Sequence, residues 1–136
     1  MDHVLYSDGN AKRISWLIQT NDSSVDQSRE HADIYRDKIS NMQSKYIALH
    51  IGLFWGIGIF AIRNGDHVKI KLDDKTMFEQ MTDGLKIKDE FILNRVRFID
   101  QLIAQRKLKI EFELISHSDN RANKLLDAKE IKTKNG

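Results

Sequence analysis

The sequence predicts an α/β domain of three layers built around a five-stranded mixed sheet. Three observations predict it. Short stretches alternate apolar and polar residues, the period of a strand with one covered face. Longer stretches repeat apolar residues every three to four positions, the period of a helix. Turn and cap residues separate the two kinds of segment. The chain has 136 residues, 40% hydrophobic and 31% charged, which suits one domain with a buried core.

Each element has its own signal. His3 to Ser7 is short, apolar and β-prone, and Asp8-Gly9-Asn10 reads as a turn. Arg13 to Thr20 alternates Ile14, Trp16 and Ile18 on one face, so a hairpin joins the first two strands. Asn21 to Ser28 is polar and reads as loop, and Glu30 to Asp37, with Ala32 and Ile34 on one face, as the third, edge strand. Ser40-Asn41 opens an apolar helix expected to reach Arg63 and end at Asn64-Gly65-Asp66. Val68, Ile70 and Leu72 alternate with Lys69 and Lys71 in a fourth strand. Asp73-Asp74 caps a short helix through Met77, Phe78 and Met81, which Gly84 stops. Ile92, Val96, Ile99 and Ile103 mark an amphipathic helix, and Leu108 to Leu114 a fifth strand. Ala122, Leu125 and Leu126 begin a last helix. The order is β-β-β-α-β-α-α-β-α, in one domain over 1–132 with a tail at 133–136.

Composition excludes several classes. With no cysteine there is no disulfide framework, Cys-based zinc site or thiol nucleophile, as suits a reducing, cytoplasmic setting. The balance of 22 basic and 20 acidic residues, +2, is too small to imply an anionic partner by itself. Met1-Asp2-His3-Val4 shows no secretory pattern. Residues 46–62 are apolar apart from His50 and carry a GxxxG, so a single membrane span is an alternative. A soluble helix buried on nearly all sides has the same composition. It fits better with the polar, patterned remainder and with the cost of His50 in a bilayer, so no membrane is expected. Phe54, Trp55 and Phe60 read as core filling, and His3, His31, His50 and His67 share no metal-ligand spacing.

Three acids stand out by position. Asp8 ends the first strand, Asp73 ends the fourth, and Asp127 lies in the last helix. Strand ends at one edge of an α/β sheet converge on ligand sites. Converging carboxylates suit hard divalent ions, chiefly Mg²⁺ or Mn²⁺.

Four stretches carry a resemblance. They are Tyr6-Ser7-Asp8-Gly9-Asn10, Tyr46-Ile-Ala-Leu-His-Ile-Gly-Leu53, Leu72-Asp73-Asp74 through Gln80-Met81, and Ser116-His117 through Asn123 to Asp127. In this order the chain resembles the ribonuclease H family over nearly its whole length, which implies the ribonuclease H-like fold. The resemblance implies that Asp8, Asp73 and Asp127 bind two Mg²⁺ (or Mn²⁺) ions for in-line cleavage of the RNA strand of an RNA–DNA hybrid. It implies that His117 assists proton transfer or product release. Asn10, Lys12 and Asn123 are the implied substrate contacts. Such a partner would be read by its A-like shape and 2′-hydroxyls.

The sequence departs from the family at one charged position. The family places a fourth carboxylate, a Glu, just before Tyr46, and here that place holds Lys45, preceded by Gln43 and Ser44. An ammonium beside Asp8 and Asp73 can hold the acids together without metal. The glycine-rich segment after Asp8-Gly9 is replaced by Asn10-Ala11-Lys12-Arg13. The stretch from Lys45 to Asp73 is about one helical turn longer than the family implies, which leaves Glu30, Asp33 or Asp37 as alternative sources of the fourth acid. Lys86, Lys88, Arg95, Arg97, Arg106 and Lys107 flank the Ile92–Ile103 helix, as a solvated face or a phosphate-tracking patch. Two readings follow: a metal-dependent nuclease, and a degenerate relative that binds nucleic acid or a protein without cutting.

Overall fold

The computed structural model describes residues 1–126; Asp127 and the expected tail at 133–136 lie outside them. The elements are β1 (Asp2–Gly9), β2 (Arg13–Thr20), β3 (Ser23–Glu30), α1 (Asn41–Gly58), β4 (His67–Leu72), α2 (Lys75–Thr82), α3 (Glu90–Arg106) and β5 (Lys109–Leu114). A 3-10 turn at His117–Asp119 follows, and residues 121–126 are helical. The sheet runs β3-β2-β1-β4-β5. Its first three strands pair antiparallel, and β4 joins β1 and β5 in parallel. This is the expected five-stranded mixed sheet.

Alternation along the strands decides the core. Leu5, Trp16, Ile18 and Ile70 face Tyr46, Leu49 and Leu53 of α1, all fully buried or nearly so. Ile92 and Ile99 of α3 pack behind α1 in the same cluster. Ser15 points to the opposite face of β2, where its hydroxyl donates to the Ala122 carbonyl at 2.6 Å. The helical segment 121–126 thereby forms the third layer. α1 lies close because the residues at its crossings are small. A Cβ on Gly52 would stand 2.9 Å from Trp16 Cβ, below ordinary contact.

Two elements differ from expectation. The third strand is Ser23–Glu30, so the polar stretch read as loop is paired and the residues read as strand are turns. Thr20 pairs with Ser23 across a two-residue turn in which Asn21 takes the left-handed conformation (φ 54°). Most of β3 is exposed. It is held by ladder bonds to β2, so hydrophobic periodicity carries no trace of it. Helix α1 ends at Gly58, five residues before Arg63. Phe60 takes the left-handed backbone (φ 63°), and the Ala61 and Phe60 N–H groups donate to the Gly56 and Ile57 carbonyls. That is a Schellman ending with phenylalanine where glycine is usual. It folds Ile62, 1% exposed, back against Gly56. Between the end of α1 and β4 the chain is this turn and not further helix. No helix among the described residues is long and apolar enough to cross a membrane.

At the opposite end of the sheet from the Asp8 cleft, buried His3 bridges Thr20 Oγ1 (2.6 Å) and Asp66 Oδ2 (2.7 Å). Burial alone would raise the Asp66 carboxyl. Hydrogen bonds from His3, the Arg63 N–H and the Met1 ammonium outweigh it and hold Asp66 at about 2. A depressed carboxyl contributes stability above its unfolded value of 3.8 and loses it as pH falls toward 2. Asp66→Asn is therefore expected to flatten stability between pH 4 and about 2. Denaturant midpoints across that range check it; an acid slope equal to wild type would refute the assignment.

Candidate active site

The cleft forms where β1 and β4 end side by side. Its lining includes Asp8, Gly9, Asn10, Asn41, Lys45, Asp73, Asp74, His117 and Asn123, around about 330 Å³ of open space. Asp8 and Asp73 come from the C-terminal ends of adjacent parallel strands, so their carboxylates converge. Asp74, not Asp73, caps α2 by accepting from the Met77 N–H at 3.0 Å. Asp73 is thus free to face the cleft.

Lys45 reaches the same point from α1. Ser40 and Gln43 form a reciprocal capping box that starts the helix. Ser44, fully buried, rests on Gly9, and no Cβ would fit between them. His31 braces that contact, its Nε2 lying 2.7 Å from Ser44 Oγ and 3.1 Å from the Asn10 carbonyl. Burial lowers the His31 pKa against the bond to Asn10, with Arg95 lowering it further. The neutral ring with its proton on Nε2 suits both acceptors. These contacts pull the first turn of α1 onto the end of β1 and aim Lys45 between the two acids.

The Lys45 ammonium donates to Asp8 Oδ1 at 2.8 Å and to Asp73 Oδ1 at 2.9 Å. The remaining oxygens are also engaged. Asp8 Oδ1 accepts from the Gly9 N–H (2.8 Å) and Asp8 Oδ2 from Asn123 Nδ2 (2.8 Å). Asp73 Oδ2 meets His117 Nδ1 (2.8 Å) and Asn120 Nδ2 (3.0 Å). The two carboxylates are 2% and 3% exposed, and His117 is 65% exposed at the rim.

The charges reinforce one another. Burial would lower the Lys45 pKa, but its bonds to Asp8 and Asp73 override this and raise it above 10.5. Burial would raise Asp73, but Lys45, then Asn120 and His117, hold it below 3.8. Asp73 contributes stability above 3.8 that is lost on acidification through its depressed value. Lys45 contributes stability below 10.5 that is lost as pH rises through its elevated value. The Lys45–Asp73 pair therefore stays charged across the whole neutral range.

Several expected site residues meet here and others do not. Asp8, Asp73, His117, Asn10 and Asn123 line the cleft and Lys45 stands between the acids, as its sequence position implies. Glu30, Asp33 and Asp37 do not supply the missing carboxylate: Asp33 pairs with Arg36, Asp37 with Lys12, and Glu30 is exposed at the end of β3. Lys12 lies on the β1–β2 turn outside the lining, 3.3 Å from Asp37. Asn10 Oδ1 is spent on the Lys12 and Arg13 N–H groups. Asp127 lies outside the described residues. Within the basic set, Arg95 is tied to His50 Nδ1 (3.0 Å) and Tyr35 (3.3 Å) over the Phe91 ring, so it is not a free phosphate contact.

Asn120 is a site residue that sequence reasoning missed. It is fully buried and donates to Asp73 and to the Ser7 carbonyl, while its Oδ1 accepts from the Ala122 N–H. An Asn just before a helix start is a cap signal, and that signal was present in the sequence.

Asp8, Asp73 and His117 are the residues able to share a metal ion among those described, each with a ligand atom within 4.8 Å of the others. The donor set suits one hard divalent ion on the side of His117. It does not suit an ion bridging the two Oδ1 atoms, where the ammonium sits.

No protein-family model and no curated protein matches the sequence. Solved structures do match. The N-terminal ribonuclease H domain of a Mycobacterium tuberculosis protein, fused to maltose-binding protein, superposes with a TM-score of 0.70 at 20% identity, covering 92% of this chain and 95% of that one. Ribonuclease H1 from the archaeon Halobacterium salinarum gives 0.70 at 15%, covering 94% and 99%. LC11 ribonuclease H1, in complex with an RNA/DNA hybrid, gives 0.73 at 19%, covering 90% and 92%. The chain has the ribonuclease H-like fold.

Proposed function

We propose that this ribonuclease H-like domain binds RNA–DNA hybrids and cleaves their RNA strand with the help of a divalent ion, Mg²⁺ or Mn²⁺. The observation that carries the reading is the convergence of Asp8, Asp73, His117 and Asn123 at adjacent strand ends, in a fold that includes a ribonuclease H1 in complex with a hybrid. Asp8 and Asp73 would hold the ion, with Asp127 as the third acid. The ion would polarise the phosphate and the attacking water. Asn123 and Asn120 fix the carboxylate orientations. His117, exposed at the rim, would carry a proton to the leaving oxygen. Asn10, at the rim of the cleft, would meet the sugar edge of the hybrid through its amide NH₂, and Lys12 would exchange Asp37 for a phosphate. Water would attack the phosphorus and the P–O3′ bond would break, leaving a 5′-phosphate and a 3′-hydroxyl, without base preference. The absence of cysteine suits work in the reducing cytoplasm.

A second reading, a domain that binds the hybrid without cutting, is favoured by one observation: Lys45 stands in place of an acid and already neutralises part of the site. A labelled hybrid with Mg²⁺ and then Mn²⁺, run beside anisotropy binding in a chelator, separates the two. RNA-strand cutting is the expected result. Binding without cutting selects the second reading. Neither binding nor cutting by folded protein overturns both.

A further inference from the structure

We infer that Lys45 is a built-in cation, so that the site takes one exchangeable divalent ion and not two. The inference rests on reading the cleft as the nuclease site. It does not depend on the rate of cutting.

The geometry is direct. One ammonium nitrogen lies 2.8 Å from Asp8 Oδ1 and 2.9 Å from Asp73 Oδ1. A divalent ion bridging those oxygens would need the same place, at the shorter distances such ions require. The lysine cannot simply withdraw. Its helix turn is held down by the Ser44–Gly9 contact and the His31 brace, and its side chain is 16% exposed. Leaving would also strip a donor from two carboxylates that are nearly buried.

The site is complete without metal. Each of the four carboxylate oxygens of Asp8 and Asp73 has at least one donor on the protein. Among the described residues, two carboxylates against one ammonium leave a single negative charge for an incoming ion, to which Asp127 would add. That charge is reachable on one side. Asp73 Oδ2 meets His117, which is largely exposed and free to turn out, and Asn120, which is buried and also donates to the Ser7 carbonyl, while Asp8 Oδ2 is held by Asn123. An ion therefore enters beside His117, opposite Lys45. The lysine then supplies, permanently and without exchange, positive charge that a second ion would supply.

The test is a count and an affinity, read without substrate. Mn²⁺ is titrated into wild type, Lys45→Glu and Lys45→Gln. Free Mn²⁺ is followed by electron paramagnetic resonance, and thermal unfolding is recorded with and without the ion. Wild type is expected to bind one Mn²⁺ weakly, with little gain in melting temperature. Both variants are expected to bind Mn²⁺ at least about tenfold more tightly, since a cation has left the site. Lys45→Glu is expected to bind two ions, and both variants to be stabilised by Mn²⁺ far more than wild type. Should Lys45→Glu fail to fold, the affinity and melting shift of Lys45→Gln decide alone. Two ions on wild type, or equal affinity in wild type and variants, overturns the inference. Failure to cut a hybrid while these counts hold would instead overturn the nuclease reading.

Discussion

Asp73→Asn is expected to abolish cleavage of a hybrid, by about 10³-fold or more, while the domain still folds. Asp73 is the hub of the site. One oxygen accepts from Lys45, and the other lies against His117 and Asn120. An amide in its place keeps the shape but removes the negative charge on which an ion depends. It also turns an NH₂ toward one set of those donors, since an amide has a single acceptor oxygen. The cost to stability is about 3 kcal/mol, the top of the range for an unmet buried hydrogen-bond partner, because the groups involved are charged. A domain with typical stability of about 5–15 kcal/mol tolerates that. Circular dichroism and a denaturant melt establish the fold, and a gel assay on the labelled RNA strand establishes activity. Retained cutting by Asp73→Asn would remove Asp73 from the mechanism.

Gly9→Ala is expected to lower stability by about 3 kcal/mol, the upper end for overpacking, and to disable the site as well. The added Cβ would stand 2.3 Å from Ser44 Oγ, 2.7 Å from the Ser44 carbonyl oxygen and 2.9 Å from its carbon. A hydroxyl can rotate away, but the carbonyl belongs to helix α1. Relief requires the first turn of α1 to lift off β1. Lys45 follows Ser44 on that turn, so its distances to Asp8 and Asp73 lengthen with the same motion. Urea unfolding measures the stability term. The coupling is measured by Mn²⁺ affinity, which should rise as Lys45 loses its grip. Wild-type stability in Gly9→Ala would show that α1 does not rest on β1 as described.

The strands that carry the two acids were legible because burial and periodicity agree there. Leu5, Ile70 and Leu72 are buried while Val4, Lys69 and Lys71 alternate with them, and Asp8 and Asp73 follow at the strand ends. The Ser40 cap, the Asp74 cap and the amphipathic α3 were legible for the same local reasons. Edge strand β3 was not. Its residues bury little, and its pairing to β2 is a matter of backbone groups that every sequence carries. The end of α1 was misread because Phe60 takes a conformation that glycine usually marks, held by the burial of Ile62.

The sequence by itself determined the order of the elements, their types everywhere but at β3, and the residue types able to do chemistry: two strand-end aspartates, a histidine and an asparagine near the third layer, and a lysine where the resemblance implies an acid. Local periodicity and chemical identity decide those things. Only the tertiary structure decided which atoms meet. Asp8 and Asp73 are 65 positions apart by number, and parallel pairing of β1 with β4 puts them side by side. Lys45 is aimed between them by a glycine–serine contact and a buried histidine brace, and Asn120 turns from a helix cap into a partner of Asp73. Such contacts depend on distances between segments far apart in the chain, which packing sets and local pattern does not.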